Sequence, residues 1–149
     1  MRIFLAPLPD GSYASRKSSS YYTHAVVWQV TQADVDLVEA AYTAALACTD
    51  ADRAEYARLE RSYKAAAFTP RAATIGRKMA RHPAALLTVN GDGIHHGKSI
   101  VDGLRAKIGR CGLAGFCGSL ALAEKMRATQ HADPYLDLRT YTIVATIPT

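Results

Sequence analysis

The stretch Arg16-Lys-Ser-Ser-Ser-Tyr-Tyr-Thr-His-Ala-Val-Val-Trp-Gln-Val30 decides the fold. It opens basic and hydroxylated, then turns into a β-rich run that carries the chain's only tryptophan. Val26, Val27, Trp28 and Val30 suit a pleated, half-buried surface, with the indole in the core. The run is therefore predicted to be the central strand of a sheet. Tyr21, Tyr22 and His24 stand where that strand would leave the basic loop Arg16–Ser20.

Upstream, Arg2 to Leu8 reads as a short strand interrupted by Pro7 and Pro9. Pro9-Asp-Gly11 is a turn signal, because proline presets φ and glycine accepts a positive one. The implied unit is a hairpin, with Pro7 fitting an edge strand, since proline cannot donate to a ladder. At the other end, Leu136 to Ile147 alternates as a strand does. Tyr141, Ile143, Ala145 and Ile147 share one face; Thr140, Thr142, Val144 and Thr146 share the other.

The middle of the chain has helical spacing. Thr31 to Asp34 and Thr49 to Asp52 each place an acid three residues after a threonine, a helix-start signal. Val35, Val38, Tyr42 and Ala45 line one face after the first; Tyr56, Leu59, Tyr63 and Ala66 line one after the second. The two helices form a hairpin linked around Cys48–Asp50. Its aromatic stripe would cover the sheet or join a second copy in a homodimer. Pro70 closes the hairpin, Arg71 to Arg81 makes a basic helix and Pro83 ends it. Ala84 to Val89 fits a short strand or a buried helix, and Asn90 to Gly93 fits a loop. Ser99 to Ile108 returns to helical spacing. Gly109, Gly112, Gly115 and Gly118 recur at every third residue, implying a loop or closely packed backbones. Ser119 then caps a helix through Gln130, with Leu120, Ala123 and Met126 inward. The expected fold is α+β: a single domain over 1–149 with a small antiparallel sheet of about three strands. Helices cover one face, and 31–110 forms a mainly helical insertion.

Composition narrows the class. The 149 residues are 49% hydrophobic and 21% charged, which suits one globular domain. The net charge of +5 is compatible with an anionic partner. No apolar run is long enough to cross a membrane as a helix. Three cysteines without paired spacing argue against a disulfide framework and for a reducing compartment, so a cytoplasmic setting is expected.

Arg16-Lys17, Tyr22-Thr-His-Ala-Val-Val27 and Gly115-Phe-Cys-Gly-Ser-Leu-Ala-Leu-Ala-Glu-Lys125 resemble segments of small bacteriophage and prophage accessory proteins. The resemblance covers about a third of the chain and includes no catalytic signature. It implies a phage accessory setting in a host cell, with 31–110 as a variable insert.

Four groups of residues carry candidate chemistry. Gly91 to Ser99 approaches a phosphate loop, yet Gly91 leaves five residues before Gly-Lys-Ser and Gly93 leaves three, where four are required. A simple anion site from His96, Gly97, Lys98 and Ser99 at a helix start is the remaining reading, with a phosphate- or nucleotide-using enzyme as its extreme form. His95, His96, Cys111 and Cys117 are zinc-ligand types in a spacing that does not suit zinc, so no metal and no cofactor is expected. Cys117 precedes a helix start, where the macrodipole would lower a thiol pKa, and His24 could serve as its base; no third member accompanies them, so no catalytic residue is assigned. Arg16, Lys17, Tyr21, Tyr22 and His24 make a basic and aromatic loop, and Arg71, Arg77, Lys78 and Arg81 a second basic cluster. These nine residues are the expected partner-binding set. The expected function is non-enzymatic binding of a host protein or protein complex, an antiviral-defence complex included, with a nucleic-acid-binding module as the alternative.

Overall fold

The computed structural model describes residues 1–89, 91–130, 135 and 138–149. The fold is α+β, as the sequence implies. The chain forms two compact units, one of Met1–Asp34, Lys107–Ala132 and Leu138–Thr149, the other of Val35–Ala106 and Asp133–Asp137. Most of segment 31–110 falls in the second of these units.

The first unit holds two three-stranded antiparallel sheets among the described residues, where the sequence suggested one. β1 (Arg2–Pro7) and β2 (Tyr13–Ser18) form the expected hairpin around the Pro-Asp-Gly turn. Gly11 takes a φ of +87 there. The basic segment expected as loop is mostly strand, since Arg16 pairs with Phe4 and Lys17 with Ile3. β3 (His24–Gln29) is the central strand of the second sheet, between β4 (Cys111–Cys117) and β5 (Thr140–Ala145). Leu136 and Asp137, expected to begin the last strand, lie outside the described residues. After β5 the chain crosses at Thr146, whose N–H is held by the Thr23 carbonyl at 3.0 Å. It then joins the first sheet as β6 (Ile147–Pro148) against β1. One continuous terminal segment therefore stitches both sheets.

Alternation on β3 divides the core. Ala25 and its neighbours Phe116 and Val144 pack with Phe4 and Ala6 of the first sheet. Val26, Cys117 and Ile143 point the other way, against Ala123 and Met126 of a helix. That helix, α5 (Leu120–Thr129), starts where Ser119 Oγ accepts the Leu122 N–H at 3.2 Å. Leu120, expected inward, is 48% exposed.

β4 corrects the loop reading of the glycine series. A bulge falls where Val26 pairs with Gly115 but Val27 with Leu113, leaving Ala114 over. Without it, glycines three apart would face opposite sides of a strand. With it, Gly112 lies beneath the Trp28 indole, where a Cβ would come within 2.7 Å, and Gly115 lies beneath Met126. Trp28 is accordingly half-buried rather than fully internal, with the Arg139 guanidinium 3.9 Å from its ring centre.

The second unit begins in α1 (Gln32–Leu46), where Val35, Val38 and Ala45 are buried as their spacing requires. α2 (Asp50–Ala65) starts in a complete capping box. Thr49 Oγ1 accepts the Asp52 N–H at 3.2 Å, and Asp52 Oδ2 accepts the Thr49 N–H at 3.0 Å. α3 (Pro70–Arg81) places Pro70 in its first turn, where no intrahelical donor is needed. Pro83–Leu87 forms a 3₁₀ turn, resolving the choice left open for that run. α4 (His96–Lys107) begins three residues earlier than its spacing suggests. The hairpin expected between α1 and α2 forms instead between α2 and α3, because the aromatic stripe of α2 meets α3 and the residue that caps its C-terminus: Tyr56 stacks obliquely on His82, and a Cβ on Gly76 would lie 3.4 Å from Tyr63.

A candidate anion-binding cleft on the α2–α3 hairpin

Thr74, Arg77, Lys78 and Arg81 recur at the i, i+3, i+4 and i+7 positions of α3, so one helix face carries a hydroxyl and three cations. Opposite them α2 presents Glu55, Arg58 and Leu59. Together with His82 these residues line a cleft of about 610 Å³. Among the described residues, Arg58, Arg77, Lys78 and Arg81 form no ion pair with a carboxylate. The Arg77 guanidinium only donates a long 3.4 Å bond to the Thr74 hydroxyl. Segment 50–82 carries eight Lys/Arg against four Asp/Glu, so it holds most of the chain's surplus charge. Unpaired guanidinium groups in a concave surface form a site for oxyanions, which they bind in a planar fork.

At the end of the cleft Asp52, Glu55 and His82 bring three potential ligand atoms within 4.8 Å of one another. His82 Nδ1 accepts the Ala84 N–H at 3.2 Å, which puts the proton of the neutral ring on Nε2. Nε2 faces Glu55 Oε2 at 3.6 Å. A metal at Nε2 would have to displace that proton and break the Ala84 bond, so the geometry favours a carboxylate–imidazole contact. Asp52 is committed to Thr49, whose backbone N–H, and then its hydroxyl, hold the carboxyl below its usual range.

Of the expected partner-binding residues, Arg77, Lys78 and Arg81 converge in this cleft. Arg71 lies near the hairpin turn, in a depression of about 320 Å³ with Ser62 and Thr69. The other five belong to the first unit, where Tyr22 lines an apolar groove beside Phe116 and Cys117. The Arg16 guanidinium lies 5.0 Å over the Tyr22 ring, and Arg2 covers Tyr21 at 5.7 Å. Both tyrosines meet Phe4 edge-on at 5.4 Å, so Tyr22 serves the core and Tyr21 keeps one exposed side. Lys17 is exposed on β2. The Thr23 hydroxyl lies 2.8 Å from His24 Nδ1.

The residues His96–Ser99 form the first turn of α4, where Gly97 packs against its neighbours. The His96 N–H is taken by the Thr88 carbonyl at 2.7 Å. Gly97 is buried where a Cβ would strike Tyr42 at 2.7 Å and the Leu86 carbonyl at 3.0 Å. Tyr42 in turn bonds His95 Nδ1 through its hydroxyl at 2.8 Å. Lys98 is exposed on the first turn of α4, and Ser99 donates its N–H to the His95 carbonyl at 3.1 Å.

Cys117 is a buried core residue rather than an activated thiol. It sits in β4 directly across from His24, but burial pushes its thiol pKa up rather than down. Its Sγ faces the Met126 sulfur at 4.0 Å. An apolar groove of about 540 Å³ runs beside it, with Leu122 and Lys125 on its rim.

Sequence reasoning missed Arg58, which joins the cluster only because two helices pack antiparallel. It also missed Phe68. That residue could have been noticed as the one large apolar side chain between the α2 stripe and the Thr-Pro start of α3. No protein-family model, curated protein or solved structure matches this chain.

Proposed function

We propose that the chain acts by binding an anionic macromolecular partner through the cleft between α2 and α3. The observation that carries this reading is the set Arg58, Arg77, Lys78 and Arg81, convergent and without carboxylate partners among the described residues. With Glu55 as the one carboxylate lining the cleft, these four cations leave it a net positive charge that suits an external anion. The resemblance of Tyr22–Val27 and Gly115–Lys125 to phage accessory proteins supports a host-cell setting. In that setting the partner belongs to host machinery, an antiviral-defence complex included.

The test is a triple charge reversal, R77E/K78E/R81E, with folding checked by circular dichroism. The wild type should be retained on immobilised heparin and the variant should elute at much lower salt. Equal retention of the two proteins would overturn the reading.

A further inference from the structure

Phe68 stands in the turn between α2 and α3 and is fully exposed, at 106% of its reference area. Its φ of +65 is the only positive value at a non-glycine position among the described residues. The turn around it is tightly tied. The Ala66 carbonyl accepts the Thr69 N–H at 3.0 Å and the Thr69 hydroxyl at 2.5 Å, while the Thr69 carbonyl accepts the Ala72 N–H at 3.1 Å. Glycine is the usual occupant of such a left-handed position after a helix. A phenylalanine there adds backbone strain and buries no side-chain surface, so the fold itself gains nothing from it.

The hairpin thus presents an exposed aromatic ring in the turn that leads into α3, three residues before Arg71. An electropositive groove for a backbone combined with an aromatic platform for a base is what binding of unpaired nucleic acid requires. A purely acidic protein surface would use the cations but not the ring, and a duplex would keep its bases stacked away from it. We infer that the partner is single-stranded nucleic acid running from this cleft toward the α2–α3 turn, with Arg77, Lys78 and Arg81 in the cleft and Arg71 near the turn on phosphates, and Phe68 stacked on a base. This rests on the reading of the cleft as an anion site.

The experiment measures anisotropy of labelled oligothymidylate, oligouridylate and a blunt duplex with the full chain, beside the heparin retention above. Wild type should bind a single strand more tightly than the duplex, with affinity falling steeply as salt rises. Phe68→Ala should weaken single-strand binding by about 5- to 150-fold, and Phe68→Trp should restore it. Because Phe68 is exposed, neither change should alter the circular dichroism. The inference is overturned if no single strand binds, if Phe68→Ala binds as wild type does, or if the duplex binds equally well. In each case, heparin retention that still depends on Arg77, Lys78 and Arg81 would leave the cleft reading standing. Retention indifferent to them would remove both.

Discussion

Thr140 donates its hydroxyl to the carboxylate of Asp34, 106 residues earlier in the chain, at 3.1 Å to Oδ1 and 3.2 Å to Oδ2. The same carboxylate accepts the Thr31 N–H at 2.8 Å and the Thr31 hydroxyl at 2.9 Å. Asp34 is therefore both a capping residue of α1 and a tie to β5, and it is only 7% exposed. Asp34→Ala removes the carboxylate half of the capping box and the tie to Thr140, while Thr31 Oγ1 still accepts the N–H of residue 34. The change should cost about 2 kcal/mol in chemical denaturation. Thr140→Val, which leaves the cap intact, should cost about 1 kcal/mol.

Gly112 and Gly115 face the same side of β4 but should respond differently to a methyl group. At 112 the obstacle is the Trp28 ring, pinned between the strand and Arg139. At 115 it is the flexible end of Met126. Gly112→Ala should destabilise by about 1–3 kcal/mol, and Gly115→Ala by under about 1 kcal/mol. Urea denaturation of the two variants checks the order; the reverse order would contradict the packing described for Trp28.

Phe68→Gly separates folding from binding. Glycine relieves the left-handed backbone of residue 68 while adding freedom to the unfolded chain. Stability should stay equal or rise by up to about 1 kcal/mol, while nucleic-acid binding falls as for Phe68→Ala. A thermal melt together with an anisotropy titration reads both. A clear loss of stability would mean that the ring supports the fold.

The thiol of Cys117 should react slowly. Burial raises its pKa, so at neutral pH less of it is thiolate than in an ordinary cysteine. Cys48 and Cys111 are only partly buried. Thiol labelling of the native protein, followed residue by residue by mass spectrometry, should modify Cys117 last and should speed up at that site on unfolding.

Acid should loosen the start of α2. The folded pKa of Asp52 lies below its ordinary value because of the Thr49 backbone N–H and hydroxyl. A depressed carboxyl pKa contributes stability above the unfolded pKa, and that contribution is lost as pH falls through the folded one. The stability difference between wild type and Asp52→Ala should thus be larger at neutral pH than at a pH below the carboxylate range.

Elements with local signals were legible from the residues alone. Thr31 and Thr49 with their acids began helices because the cap is made within four residues, and Val26 to Trp28 made a strand through its β-branched and aromatic side chains. Pro70 and Pro83 set the limits of α3 for an equally local reason. Features that depended on distant neighbours emerged only with packing. The two inner glycines of the series, Gly112 and Gly115, fell in a strand whose bulge turned both toward one face, under Trp28 and Met126. The terminal strand divided between two sheets because Thr146 met the backbone of residues 22 and 23. The start of α4 moved back to His96 because Gly97 lets it pack on Tyr42 and Leu86. Arg58 joined Arg77, Lys78 and Arg81 only when α2 packed on α3. The α3 stripe was readable from its period, but a concave site needs two surfaces, and their apposition comes from packing.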